Sequence, residues 1–130
     1  MKLIALDIGT RRTGIAYSDD AKIPLALDTF HHTSEDELIA HVIHLVRERT
    51  IEKIVIGLPL LPSGEEGAQV EFVRGIGDKL SSLDCSVEYI DERYSTPTFR
   101  DSVSREVDPD SASACQILQV YCDRNTIIDN

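Results

Sequence analysis

The sequence predicts an α/β domain built on a mixed sheet, with an antiparallel meander at the front and parallel crossovers behind. Three observations carry this. Short runs such as KLIAL and KIVI have the unbroken hydrophobicity of strands covered on both faces. The first three runs are joined by short connections, which suit antiparallel neighbours. Stripes of helical period separate the later runs, so those strands have crossovers long enough to return parallel. With 130 residues, 42% of them hydrophobic and 28% charged, the chain makes one domain whose core needs neither a disulfide nor a structural metal.

Residues 2–6 form the first strand, which ends at Asp7, and Gly9 follows where the chain turns. Residues 13–18 (TGIAYS) make the second strand and residues 25–30 the third, with DDAKIP connecting them. Ser34 caps the next helix and Glu37 completes a capping box. Leu38, Ile39, Val42, Ile43 and Val46 then give one apolar stripe as far as Arg49. Residues 53–56 are the fourth strand, stopping at Gly57-Leu58-Pro59, and LPLLPSGEEG has the composition of a loop.

A second helix spans about residues 66–80, with Val70, Val73, Ile76 and Leu80 on one face. Gly75 and Gly77 weaken it by about 1 kcal/mol each relative to Ala. Residues 87–90 form the fifth strand and run into Asp91-Glu92-Arg93; Thr96-Pro97 begins a short helix. Asp108-Pro109-Asp110 opens the last helix, whose buried face is Ala114, Ile117, Leu118, Tyr121 and Cys122. The domain is therefore residues 1–124, and residues 125–130 are a loose tail.

The net charge of −10 is heavier in the second half: residues 1–65 hold 7 basic and 10 acidic side chains, residues 66–130 hold 6 and 13. Such a chain repels phosphate backbones unless its positive charge is gathered on one face or metal ions intervene. No run approaches the length of a membrane span and the start lacks a signal-peptide layout, so the expected place is the cytoplasm, with no membrane partner. Cys85, Cys115 and Cys122 lack ligand spacing and read as buried free thiols.

The sharpest local signal is Asp7-Ile8-Gly9-Thr10-Arg11-Arg12-Thr13-Gly14. A carboxylate ending a buried strand is expensive unless it meets a cation or strong donors; an Asp that merely begins a turn explains the pattern equally well. Glu92 follows another apolar strand, with Arg93 and Thr96 beside it. Asp91 is the poorer member of that acidic pair, because alternation turns it from the face of Glu92. Asp110 opens a helix continuing Ser-Ala-Ser-Ala, and such small side chains let the helix lie close on a sheet. Active sites of parallel α/β regions gather beyond the carboxyl ends of strands. Three carboxylates meeting there repel one another, and a hard divalent cation resolves that repulsion. Two such ions about 4 Å apart suit phosphodiester cleavage. The bland alternative is three unrelated acids among the 23 in the chain.

Other candidates are weaker. His31, His32, His41 and His44 cluster without a third ligand at matching geometry and read as solvated or capping side chains. Ser63 and Glu65 belong to a surface turn that lies near the strand ends. Tyr94, Phe99 and Tyr121 are too few for a base-stacking platform and read as core.

In order along the chain, DIGTRRTG (residues 7–14), IGLPL (56–60), DERYST (91–96) and DSASA (110–114) resemble the successive signatures of the YqgF (RuvX-like) family. These are bacterial RNase H-like proteins, described as Holliday-junction resolvases and now mainly as pre-16S rRNA nucleases. The resemblance covers nearly the whole chain. It implies an RNase H-like fold with five strands in the order 3-2-1-4-5 and helices on both faces. It implies a metal-dependent endonuclease that trims the 5′ end of precursor 16S rRNA, using Mg2+ or Mn2+. By position, Asp7, Glu92 and Asp110 would be the catalytic acids and metal ligands. Arg11, Arg12, Arg93 and Thr96 would meet the nucleic acid. Many RNase H-like nucleases keep an acid after strand four, where this chain has Gly57. The family's basic stretch before the helix acid is reduced here to RDSVSREVDPD.

Two rivals to an RNA nuclease remain open. One is a Holliday-junction DNA resolvase, which needs a dimer presenting two sites to branched DNA; the chain itself reads as monomer or homodimer. The other is a catalytically weakened nucleic-acid module that binds the assembling small ribosomal subunit. An actin-like ATPase shares the Asp-x-Gly-Thr pattern but closes two such domains around its nucleotide, and this length supplies one.

Overall fold

In the computed structural model the described residues are 1–20, 23–27, 29–59, 67–81, 85–91 and 109–128, the last segment with side chains for 111–123. The strands are β1 (Leu3–Ile8), β2 (Arg12–Ser18), β3 (Leu25–Ala26), β4 (Phe30–His31), β5 (Lys53–Leu58) and β6 (Ser86–Asp91). The helices are α1 (Glu35–Arg49), α2 (Ala68–Leu80) and α3 (Pro109–Ile128).

The sheet order is β3-β2-β1-β5-β6, with β4 also paired to β2. β1 and β2 are antiparallel, while β5 lies parallel to both β1 and β6. That is the expected order 3-2-1-4-5 with its third strand broken in two. The pieces β3 and β4 both lie antiparallel to β2, and between them Leu27 and Thr29 are held by Ser111 of α3. The break therefore ties the sheet edge to a helix.

β1 runs through Asp7 to Ile8, past the end that hydrophobicity alone suggests. The extension is stabilised by pairing: Asp7 stands opposite Gly14 and Ile8 opposite Thr13. Gly9 then closes the turn, its N–H donating to the Arg12 carbonyl at 3.0 Å. A Cβ at Gly9 would lie 2.6 Å from that oxygen, so the turn excludes every side chain.

Alternation divides the sheet into two apolar faces. Ile4, Leu6, Ile8, Ile15, Ile54, Ile56 and Leu58 meet Leu38, Val42 and Leu45 of α1 and Val70, Val73, Ile76 and Leu80 of α2. On the opposite face Leu3, Ala5, Ala16, Val55 and Ile90 meet Ala114, Cys115, Ile117, Leu118 and Tyr121 of α3. Each fully buried Leu or Ile contributes about 1.5–3 kcal/mol. The exposed Lys79–Glu35 pair at 2.9 Å, which joins α2 to α1, is screened by solvent and contributes little. Packing, not the ion pair, seats the helices.

α1 begins as expected, with Ser34 accepting from the Glu37 N–H at 3.2 Å. The reciprocal half of the box differs: Glu37 accepts from the backbone and hydroxyl of Thr33 rather than from Ser34. The helix ends at Thr50, whose φ of 52° lies in the left-handed region. α3 continues to Ile128, where a loose tail was expected from residue 125. No Gly or Pro follows Cys122 to stop it.

Of the four histidines, His31 and His44 are exposed as expected, while His32 and His41 depart from the solvated or capping roles. His44 does pair with Glu48 at the surface. His32 is buried, and the Phe30 ring stacks on His41 at 3.9 Å and on His32 at 5.9 Å. An apolar ring between them turns both imidazoles into packing groups. The cysteines are buried thiols outside any disulfide, and burial pushes Cys115 and Cys122 up to about 11. Among the described residues no helix is long and apolar enough to cross a membrane.

Candidate active site at the carboxyl edge of the sheet

β1, β5 and β6 are parallel, so their carboxyl ends share one edge. Asp7 is half-buried at that edge, and alternation puts it on the α3 face with Leu3 and Ala5. Its neighbours there are Gly14 in β2 and, one strand the other way, Gly57. Gly57 lies within β5, paired with Ile90, so the place where related nucleases keep an acid carries no side chain. The Asp7 carboxylate makes no hydrogen bond or ion pair with another described side chain.

β6 ends at Asp91, which pairs in register with Leu58. Leu58 belongs to the α1/α2 face, so Asp91 faces away from Asp7, as strand alternation requires. Glu92, Arg93 and Thr96 lie outside the described residues, as do Ser63, Glu65 and the short helix expected from Thr96.

α3 brings its first turn to the same edge, and two contacts fix its direction. Near its start, Ser111 donates to the Leu27 carbonyl and lies 3.2 Å from the Thr29 hydroxyl. Leu27 in turn bonds to Ile15, the partner of Leu6, so Ser111 is level with the carboxyl end of β1. Further along, the Tyr121 hydroxyl accepts from Lys53 Nζ at 2.8 Å, and Lys53 pairs with Leu3 at the opposite end of β1. The helix therefore descends from the Asp7 edge, with the backbone of Asp110 in its first turn. The Asp110 side chain lies outside the description. Buried Ala112 and Ala114 allow the close approach expected of small residues.

On the other side of Asp7, Arg11 and Arg12 are exposed at the β1–β2 turn. They border a cleft of about 500 Å3 lined by Gly9, Thr10, Arg11, Arg12, His31 and Gln69. His31 stands directly opposite Arg12 across the β2–β4 pair. Neither His31 nor Gln69 carries a motif of its own. The signal for His31 is its register against Arg12, which needs the pairing to be known.

Among the described residues no group of three or more His, Cys, Asp or Glu side chains is arranged to hold a metal. Of the expected ligands, the one whose side chain is described is Asp7. A half-buried carboxylate beside two glycines, without a competing described partner, fits a hard divalent cation in donor chemistry.

Known proteins agree with this architecture. A structure titled T. thermophilus RuvC in complex with Holliday junction substrate superposes with a TM-score of 0.73, at 11% identity, covering 98% of this chain and 96% of that one. A Fowlpox virus resolvase bound to Holliday junction DNA does so at 0.61, with 9% identity over 96% of this chain and 99% of that one. At such identities the likeness concerns the fold, which is the RNase H-like resolvase architecture. In sequence, a Chloroflexus aurantiacus protein named "Putative pre-16S rRNA nuclease" is 38% identical over 93% of this chain and 86% of its own length. A Sulfurihydrogenibium protein of the same name is 30% identical over 95% and 90%. The family model described as "RuvX: Holliday junction resolvase" matches residues 1–124, and with it the chain belongs to the RuvX (YqgF) family.

Proposed function

We propose that this protein is a divalent-metal-dependent endonuclease that hydrolyses phosphodiester bonds in the 5′-end processing of precursor 16S rRNA. The observation that carries the reading is the place of Asp7: half-buried at the carboxyl edge, on the face to which α3 brings its first turn. The names borne by the 38%- and 30%-identical relatives support RNA as the substrate.

In this reading Asp7, Glu92 and Asp110 hold Mg2+ or Mn2+ through oxygen ligands. When bound, the metal supplies charge neutralisation at the scissile phosphate and an activated water. The chain's own residues do the rest. The Gly9 turn presents Arg11 and Arg12 beside Asp7, so phosphate is gripped by guanidinium groups despite a net charge of −10. Arg93 and Thr96 add contacts after β6. Phosphate contacts of this kind fix the strand's position without reading its sequence. The reaction takes place in the cytoplasm, with the assembling small ribosomal subunit presenting the RNA.

A second reading, cleavage of branched DNA by a homodimer, is favoured by the family description. One experiment separates them. A labelled RNA spanning the precursor 16S 5′ junction and a four-way DNA junction are each incubated with Mg2+, Mn2+ or EDTA, with the unmodified chain and Asp7→Asn. Metal-dependent cutting of the RNA that vanishes in Asp7→Asn, with Tm unchanged or raised, supports the first reading. Cutting of the DNA junction alone supports the second. Binding without cutting in any metal would leave a nucleic-acid-binding module.

A further inference from the structure

The cleft beside Asp7 contains more than a phosphate grip. Arg12 and His31 are directly opposed residues of β2 and β4, so their side chains share one face about 5 Å apart. Alternation makes that face the α3 face: Thr13 and Phe30 belong to the other side, where Phe30 packs on the α1/α2 core. Asp7 is on the α3 face too, opposite Gly14, and Arg12 is two residues along β2 from Gly14. Asp7, Arg12 and His31 therefore lie on one face over three strands, His31 about 5 Å from Arg12 and Arg12 about 7–8 Å from Asp7. Gln69, in the first turn of α2 on the opposite face of the sheet, reaches the same cleft at its edge.

The Arg11, Arg12, His31 and Gln69 side chains that line the cleft have complementary chemistry. Guanidinium groups fork onto phosphate oxygens. An exposed imidazole offers a flat face on which an unpaired base stacks. A carboxamide carries both donors and an acceptor and can meet a base edge or a ribose hydroxyl. A base held in a duplex has its faces covered by its neighbours and cannot use such a ring.

We propose that this cleft is the subsite for one unpaired nucleotide flanking the scissile bond, with Arg11 and Arg12 on its phosphate and His31 and Gln69 on its base and sugar. It rests on the nuclease reading above and adds a substrate requirement: the strand must be single next to the cut. His31 stacks on the base, and Gln69 secures the nucleoside from the side of α2.

Binding in EDTA tests the cleft without the metal chemistry. Fluorescence anisotropy of a labelled seven-nucleotide single-stranded RNA and of its blunt duplex is followed at pH 8. The full chain is compared with His31→Ala, His31→Phe, Gln69→Ala and Arg11→Ala. Both His31 and Gln69 are exposed, so melting curves should be unchanged. Loss of one stacked base predicts about 5–100-fold weaker single-strand binding for His31→Ala, with recovery in His31→Phe. Gln69→Ala weakens it several-fold. Neither changes the salt slope, whereas Arg11→Ala lowers that slope by about 1. Duplex binding is insensitive to His31→Ala. Equal single-strand affinities for His31→Ala, Gln69→Ala and the unmodified chain would overturn the subsite, as would equal losses on duplex, or no single-strand binding at all. A chain that binds through His31 yet cuts nothing with metal would keep the subsite and refute the nuclease reading. A chain that cuts RNA without needing His31 or Gln69 would do the reverse.

Discussion

The hydroxyl of Thr13 lies 3.0 Å from Nε2 of His32, and both side chains are sealed from solvent. The same histidine's backbone N–H donates to the Arg11 carbonyl at 2.8 Å. One buried residue after β4 thus braces the turn that displays the two arginines. Its other ring nitrogen, Nδ1, is buried with no partner among the described residues.

Thr13→Val should therefore cost about 1–3 kcal/mol, because it strands the second ring nitrogen of a buried imidazole. Thr13→Val combined with His32→Leu should cost less than the sum of the two single changes. Urea unfolding of the four chains checks this; strict additivity would show that the bond is not formed.

Burial pushes His32 below the ordinary imidazole value, with the charge of Glu37 working against it and His31 adding to it. Burial likewise lowers His41. Between the depressed folded value and the ordinary one near 6.5, the unfolded chain binds more protons than the folded chain. Stability therefore falls as pH is lowered through that window, by at most about 1.4 kcal/mol per pH unit for one imidazole. Tm measured from pH 7.5 to 5 should drop, and His32→Leu should make the drop shallower.

Two glycines of α2 should respond in opposite directions to the same substitution. A methyl group at Gly75 meets nothing within 4 Å, so Gly75→Ala should stabilise by about 1 kcal/mol through helix propensity. At Gly77 the added carbon would lie 2.1 Å from the Tyr89 hydroxyl oxygen and 3.0 Å from the ring. Gly77→Ala should destabilise by about 1–3 kcal/mol as Tyr89 is displaced. Thermal melts of the two variants give the comparison directly.

Thr50 closes α1 with a β-branched residue in the left-handed region, at φ 52° and ψ 51°. Its hydroxyl accepts from Lys2 Nζ at 3.0 Å, but that contact is exposed and weak. Thr50→Gly should raise stability by about 1 kcal/mol, the cost of holding an L-residue there. An unchanged or lowered urea midpoint would show that the Lys2 contact outweighs the strain.

Ser111 joins α3 to the broken edge of the sheet through Leu27 and Thr29. Ser111→Ala leaves the Leu27 carbonyl without that donor and should cost about 1–3 kcal/mol. In the proposed enzyme it should also raise the Mg2+ concentration needed for half-maximal cleavage, because the first turn carrying Asp110 loses its anchor. A lower Tm with an unchanged metal dependence would make the serine purely structural.

Much of this was readable from one dimension. β1 and β5 are nearly continuous apolar runs, and such segments pack on both faces wherever they are placed. The Ser34 cap of α1 and Leu38 and Val42 of its stripe are encoded by residues three or four apart, which a helix brings together without outside help, whereas Leu45 enters the core in place of Ile43. Asp7 stands out as a candidate for a related reason: a carboxylate near the end of such a run is expensive unless it meets a cation or strong donors.

Other features depended on partners far away in the chain. Nothing local distinguishes His32, buried against Thr13, from His31, exposed beside Arg12; the register of β4 on β2 makes the difference. The third strand is divided where its register on β2 shifts by one residue, and there Ser111, 84 residues from Leu27 in the chain, donates to the Leu27 carbonyl. Gly75 and Gly77 look alike as helix breakers, and only the Tyr89 ring from β6 separates them.

By itself, then, the sequence determined where most of the described strands and helices lie, with Asp7 near the end of the first. Hydrophobic period and capping act over a few residues, so short stretches suffice to specify them. Tertiary structure alone decided that Asp7, Arg12 and His31 face one way and that α3 descends from the Asp7 edge. Those outcomes depend on strand register and helix direction, and these are set by burying two separate cores at once across the whole chain.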